Sequence, residues 1–468
     1  MSAEICFTPA RTLARLVRSR KLSATEVMRA FVAQIERVNP KVNALVTFLP
    51  EEGLKAAKAL DKKRSFDKPL SGLPIAIKDV IATKGVRTTW GSLVYKDHVP
   101  AEDHILAERL KAAGAILIGK TNTPEFGAGS QTFNQVFGAT RNPYDLSKTC
   151  GGSSGGAAVA VACGMTPFAD GGDFAASLRN PGNYCNVIGF RPSTGRVPAY
   201  PHPYPWSNLS ELGPMARTVS DAAFLLSAMA GPDPRAPTSI TEPGAIFNRS
   251  LKRSFRKVRI AWSRDLGGLP VEPVVTKVLE RQRSVFKDLG CIVEEAEPDF
   301  SGATEAFESL RALTWLHRGG ELLKQHRDKL KDTVIWNTEE GLKRSAPDIA
   351  RAETLRTTLF HRMRQFLEKY DFFACPVNQL PPYSVDLDYP REIAGVKMTN
   401  YLDWMKSCYY ITITTHPAIS VPAGFTDDGL PVGLQIVGRY RDDFGVLQMA
   451  HAFEQATQVW KRRPPAVM

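Results

Sequence analysis

Two hydrophobic rhythms alternate along the 468-residue chain, and together they predict an α/β protein. Apolar residues recur at helical spacing in several long segments. Between these lie short, continuously apolar runs of strand length, such as residues 73–81 and 370–376. A third feature sets the chain apart. Residues 148–198 are rich in Gly, Ser and Ala, poor in charge, and too irregular to form one helix or one strand.

Taken in order, Leu13, Leu16 and Val17 form one apolar helical face. Ser23-Ala24-Thr25-Glu26 then reads as a capping box opening a helix through Val27, Phe31, Val32 and Ile35. Residues 54–63 form a further short helix. The strand pattern at 73–81 holds a lysine, Lys78, in its middle, and lysine is almost never fully buried without a partner or a task. Pairing with Asp79, a place at the strand end, and a desolvated amine acting as a base are all open readings. Residues 101–115 make an amphipathic helix ending at Gly114, followed by a strand at 115–118 and a loop at 119–126. A turn at 141–146 delivers the chain to the Gly/Ser stretch.

Beyond that stretch, residues 200–206 form a Pro/aromatic loop, and residues 213–218 lead into a helix at 219–229. Residues 230–255 read as a basic, Pro-rich surface connection. A strand at 258–262, a helix at 274–289 and a strand at 291–294 follow. Residues 302–370 are strongly helical, and 370–376 returns to a strand. The turn Asp427-Asp428-Gly429 joins 418–422 and 432–436 as a hairpin, and a final helix covers 444–456. No internal repeat or clear second-domain linker is visible, although length alone suggests two or three domains, a prior that large α/β enzymes often exceed.

Composition narrows the function classes. With 43% hydrophobic and 23% charged residues, the chain has material for a large core. The net charge is +12, but Lys and Arg are spread and alternate with acids, as at 324–331. No RNP-like, zinc-finger or Arg-rich module is present. The basic surface therefore reads as solvated, with no nucleic-acid partner. Apolar runs such as 157–163 are too short to span a bilayer, and the N-terminus lacks the apolar core of a signal peptide. Seven scattered cysteines form no CxxC pair and read as reduced. A cytoplasmic protein without membrane contact is expected.

The candidate chemistry lies in the Gly/Ser stretch. Ser153 sits in Gly151-Gly152-Ser153-Ser154-Gly155-Gly156, and Ser177 in Gly171-Gly172-Asp173-Phe174-Ala175-Ala176-Ser177-Leu178-Arg179. Small residues around a serine let backbone N–H groups approach a bound carbonyl, as acyl transfer requires; flexible turns are the plainer alternative. Three nucleophile schemes compete. Residues 151–155 match G-x-S-x-G, but that elbow needs a preceding strand, and residues 142–150 are turn-like and polar. A metal hydrolase is set aside because the eight histidines show no HExxH or other ligand spacing. The third scheme joins Lys78, Ser153 and Ser177.

At these residues the chain resembles the amidase signature family, whose pattern runs GGSSGG, a spacer, then GTDxGGSxRxPA and GxKPTxG. The spacing from Ser153 to Ser177 matches the family's. Residues 119–126 (GKTNTPEF), Asn142-Pro143, 213–218 (GPMART), 370–376 and 417–438 resemble further family landmarks in the expected order. The resemblance implies one α/β domain over 1–468, a large mixed β-sheet covered by helices on both faces. It places a signature core at about 65–225 and a variable, substrate-facing helical part at about 300–400.

The resemblance also implies roles. Ser177 would attack the carbonyl, Ser153, at the family's cis-peptide serine, would relay the proton, and Lys78 would be the ultimate base. The N–H groups of Phe174, Ala175, Ala176 and Ser177 would form the oxyanion hole, with Ser154, Asp173 and Arg179 as structural support. No cofactor or metal is implied. The chain departs from the pattern at Gly172, at Ala175-Ala176 where the family has Gly-Gly, at Arg179-Asn180-Pro181-Gly182, and at Arg191-Pro192-Ser193. Alanine keeps the N–H but disfavours φ > 0, so either these positions have negative φ or the hole is altered. The departures point away from the catalytic chains of tRNA-dependent amidotransferases, which form the competing expectation. Phe126, Phe133, Phe174, Trp206, Trp315, Trp336 and Tyr383 are the candidate pocket aromatics. The expected enzyme is an aryl acylamidase- or urethanase-type hydrolase of small hydrophobic amides, anilides or carbamates, working as a monomer or homodimer.

Overall fold

The computed structural model describes residues 2–468, with side chains from Glu4 onward. Its centre is an eight-stranded mixed sheet. In spatial order the strands are Ile292–Glu295, Arg259–Trp262, Phe372–Pro376, Pro431–Gly438, Ala418–Phe425, Ile188–Arg191, Glu211–Ala216 and Phe168–Asp173. The first three run parallel, and every later pairing is antiparallel. A smaller three-stranded sheet places Ile116–Thr121 between Leu45–Phe48 and Pro74–Lys78.

Both faces of the large sheet are buried, because successive side chains point to opposite sides and both sets are apolar. Ile260, Trp262, Phe372, Ala374, Leu434 and Ile436 enter one core with Val446, Leu447 and Phe453 of the helix Asp443–Thr457. Ala261, Phe373, Cys375 and Val437 enter a second core on the other face. That core is completed by Phe307 and Leu310 of Ala303–His326, Leu359 and Met363 of Ala346–Lys369, and Tyr409 of Lys406–Ile413. Helices thus cover the sheet as expected.

The capping box forms. Ser23 Oγ accepts the Glu26 N–H at 3.0 Å, and the Glu26 carboxylate accepts the Ser23 N–H at 2.8 Å, opening the helix Ala24–Val42. The hairpin forms as Ala418–Phe425 and Pro431–Gly438, and Val219–Met229 is helical. Three expectations are corrected. The helix placed at 101–115 spans only Ile105–Ala112, because His104 Nδ1 accepts the Leu106 N–H and caps it. The helix at 274–289 divides into Pro273–Glu280 and Arg283–Asp288. Gly119, Lys120 and Thr121 continue a strand instead of opening a loop. Gly119 is small there for a contact reason: a Cβ would lie 2.2 Å from the Thr47 carbonyl oxygen.

The Gly/Ser stretch becomes two helix–strand alternations. The helix Gly155–Ala162 precedes the strand Phe168–Asp173, and the short helix Arg179–Tyr184 precedes Ile188–Arg191. Its small residues allow close packing: a Cβ on Gly156 would lie 2.4 Å from the Asn122 nitrogen. Among the described residues, no helix is long and apolar enough to cross a membrane.

Candidate active site

Lys78 ends the strand Pro74–Lys78, in which every residue is buried. Its Nζ lies 2.7 Å from Ser153 Oγ and 2.9 Å from Ser154 Oγ. The alternative pairing with Asp79 does not occur. The Asp79 carboxylate instead accepts from the Thr89 hydroxyl at 2.5 Å and from the Thr89 N–H. Burial lowers the Lys78 amine to about 7, against the opposing pull of the Asp170 and Asp173 carboxylates. An amine in that range is substantially neutral at pH 7 and can take up a proton.

Ser153 follows a cis Gly152–Ser153 peptide and precedes the helix Gly155–Ala162. It is 4% exposed, and Ser177 is 5% exposed. The two serine segments are tied together: the Ser154 N–H donates to the Ser177 carbonyl at 3.2 Å. Ser154 does more than support the loop. Besides its contact with Lys78, its Oγ accepts the Gly172 N–H and donates to the Gly172 carbonyl, each at 3.2 Å. The arrangement therefore brings Lys78, Ser153, Ser154 and Ser177 into one buried cluster.

The turn 174–177 joins the strand Phe168–Asp173 to the helix Arg179–Tyr184. None of the N–H groups of Phe174, Ala175, Ala176 and Ser177 donates to an acceptor among the described residues. The peptide carbonyls explain their orientation. Arg179 Nη2 and Thr412 Oγ1 hold the Ala175 carbonyl at 2.8 and 3.0 Å, and the Asn180 N–H holds the Ala176 carbonyl at 2.7 Å. In a planar trans peptide the following N–H points the opposite way, so fixing these carbonyls aims the Ala176 and Ser177 N–H groups. Neither Ala175 nor Ala176 has positive φ. The methyl groups therefore impose no left-handed strain.

A buried ion pair holds this turn. The Asp173 carboxylate accepts from Arg179 Nε and Nη2, both at 3.0 Å, and from the Leu178 N–H at 3.2 Å, with Arg191 Nη1 at 3.4 Å. Burial pushes the Asp173 carboxyl up, but Arg179 and Arg191 overcome it and bring it down to about 2. Arg179 is saturated by further acceptors, the Cys408 carbonyl at 2.9 Å and Gln435 Oε1 at 2.7 Å.

Sequence reasoning missed several members of this layer. Asp170 Oδ1 accepts the Lys78 N–H at 3.1 Å, while its Oδ2 is buried without a partner. Burial raises the Asp170 carboxyl and lowers the Lys120 amine. Lys120 donates to the Ile81 carbonyl at 2.6 Å and Thr83 Oγ1 at 2.8 Å. A charge inside an apolar run was the available signal for Asp170.

The candidate pocket aromatics separate. Phe126 and Phe174 pack with the buried Trp315 in one cluster. Phe133 lies under Lys331, whose Nζ is 3.8 Å from the ring centroid. Trp336 packs edge-on to Tyr401, and Tyr383 edge-on to Trp404 in the second core. Trp206 is 71% exposed. Among the described residues, no group of three or more His, Cys, Asp or Glu side chains is placed to hold a metal ion.

Comparison with known proteins gives this architecture its family. Residues 26–447 match the Amidase family. The chain is 35% identical to an acylamidase of Rhodococcus erythropolis, over 97% of its length and 96% of the relative's. It is 34% identical to the A-type chain of the glutamyl-tRNA(Gln) amidotransferase of Moorella thermoacetica, over 98% and 99%. A solved bacterial aryl acylamidase of the amidase signature family superposes with a TM-score of 0.90 at 30% identity, covering 97% of this chain and 98% of that one. A 6-aminohexanoate cyclic dimer hydrolase superposes with a TM-score of 0.89 at 25% identity, covering 99% and 100%. The chain belongs to the amidase signature family. It is an amidohydrolase, acting on the carbon–nitrogen bond of amides.

Proposed function

We propose that this enzyme cleaves small aromatic or hydrophobic amides, anilides or carbamates through Ser177, with Ser153 relaying protons to and from Lys78. The contact of Lys78 with Ser153 carries this reading. A serine hydroxyl is a weak nucleophile without an adjacent base, and lysine serves as one only when burial keeps it neutral. In this scheme Ser177 Oγ attacks the carbonyl carbon while its proton passes to Ser153, whose own proton passes to Lys78. The N–H groups of the 174–177 turn receive the developing oxyanion. The proton returns through Ser153 to the leaving nitrogen, the C–N bond breaks, and water hydrolyses the acyl-Ser177 ester.

The aromatic cluster of Phe126, Phe174 and Trp315 beside the turn supports an aryl substrate, as do the acylamidase relatives. The competing reading is the glutamine-hydrolysing chain of a tRNA-dependent amidotransferase, favoured by full-length identity of 34% to such a chain. Ala175-Ala176 in place of Gly-Gly favours the free-standing hydrolase. The test is amine release from a primary aryl amide, an anilide, an aryl carbamate and glutamine, with Ser177→Ala as control. Turnover of a synthetic class, abolished by the substitution, is expected. Turnover of glutamine alone would overturn the free-standing assignment.

A further inference from the structure

The helix Ala303–His326 carries two arginines, Arg311 and Arg318, against the ring of Phe174. Their guanidinium carbons lie 5.3 and 5.4 Å from the ring centroid. Phe174 is the first residue of the turn that ends at Ser177 and whose N–H groups have no acceptor among the described residues, so both charges border the site.

Arginines drawn out of water ordinarily meet carboxylates. These two do not. Arg311 is buried and donates only to neutral oxygens, Asn337 Oδ1 and Tyr401 Oη, and its Nε has no partner. The Trp315 indole N–H, one turn further along, is also buried without a partner, and Arg311 stands 5.4 Å from that ring. Arg318, half-buried, reaches one polar atom, His202 Nε2, at 3.5 Å. Among the described residues neither guanidinium forms an ion pair. Glu308, on the same helix, influences Arg311 without pairing with it. Burial and the charge of Arg311 both push Arg318 down, to about 10, so it stays charged at pH 7. Burial and Arg318 hold His202 near 4, keeping it neutral there.

Guanidinium and indole N–H groups can only donate. A cluster of donors with two positive charges, met only by neutral acceptors, is complementary to an oxyanion, and a carboxylate is the planar group that arginine meets best. We propose that Arg311, Arg318 and the Trp315 indole N–H form a carboxylate subsite, so that the preferred substrate is an amide bearing a carboxylate. Phe174 links the two halves of such a substrate: its ring packs under the guanidiniums while its N–H belongs to the oxyanion turn. The proposal rests on the Ser177 reading for the word substrate, and the test separates the two.

Two matched pairs place the charge on either side of the scissile bond: acetanilide against 4-acetamidobenzoate, and propananilide against succinanilate. In at least one pair the anionic member is expected to exceed its neutral partner tenfold or more in kcat/KM, chiefly through KM. Arg318→Gln lowers the anionic member at least tenfold more than the neutral one, and Arg318→Lys restores part of the difference. Trp315→Phe, which keeps the ring and removes the donor, acts in the same direction. Neutral members preferred in both pairs, or an anionic preference intact in Arg318→Gln, would overturn the subsite. Calorimetric binding of the same four compounds to Ser177→Ala protein decides independently of turnover. Tighter binding of an anionic member, lost on adding Arg318→Gln, supports the subsite even if Ser177 is not the nucleophile. Equal binding of charged and neutral members overturns it.

Discussion

Lys78 Nζ stands 2.7 Å from Ser153 Oγ at the end of a fully buried strand. Burial brings the amine to about 7, the range the proposed base role needs. Below that value the amine is protonated and cannot accept from Ser153. The kcat/KM profile is therefore expected to rise with pH through about 7 and to flatten above it. A profile flat from pH 5 to 9 would remove Lys78 from the base role.

Lys78→Arg tests the same group differently. Arginine keeps the charge and does not deprotonate in proteins, so base function is lost. Loss of a general base typically costs about 10²–10⁴ in rate. Steady-state kinetics are expected to show a fall of that order. Ser153→Ala removes the proposed relay between Ser177 and Lys78 and is expected to fall in the same range.

The Asp173–Arg179 pair predicts a stability effect. Removing one partner of a buried pair costs about 3–5 kcal/mol when the other charge is left uncompensated; with Arg191 still 3.4 Å from Asp173, the lower end of that range applies. Arg179→Met is expected to lower unfolding stability by that amount in urea denaturation, alongside reduced activity, because Thr412 Oγ1 alone then holds the Ala175 carbonyl. The pH dependence has a definite sign. Asp173 is held near 2 in the folded protein, below its ordinary 3.8. Its contribution is present above about pH 4 and is lost as pH falls towards 2.

Ala175→Gly and Ala176→Gly ask what the departure from Gly-Gly does. Both positions have negative φ, so glycine restores no needed conformation and keeps the N–H. Added backbone freedom costs roughly 0.5–1 kcal/mol. Thermal denaturation should show that modest loss, with kcat within about tenfold of the parent if a change of up to ~1 kcal/mol also reaches the transition state. A large gain in kcat would show that the alanines distort the turn.

Particular residues show what the sequence revealed and what it hid. Lys78 was legible because a charge interrupts an apolar run, and Ser23–Glu26 because a capping box is local. Lys120 was hidden. Gly119 looked like a turn residue, whereas it is small to admit the Thr47 carbonyl, and the strand continues through Lys120 to Thr121. Arg179 is expected from the sequence as structural support, but its bonds to Cys408, Thr412 and Gln435 come from distant segments and have no local signature. The missing counterions of Arg311 and Arg318 were equally invisible, because pairing is a property of three-dimensional neighbours. The aromatic residues likewise gave no direction: Phe126 and Trp315 cluster near the turn, while Trp206 faces solvent.

The proposed function turns on Ser177 carrying the acyl group. It is tested most directly by labelling the enzyme with an aryl fluorophosphonate and mapping the adduct by peptide mass spectrometry. One adduct is expected, on Ser177, absent in Ser177→Ala and slowed in Lys78→Arg. An adduct on Ser153 or elsewhere in wild type, or undiminished amide turnover in Ser177→Ala, would contradict it.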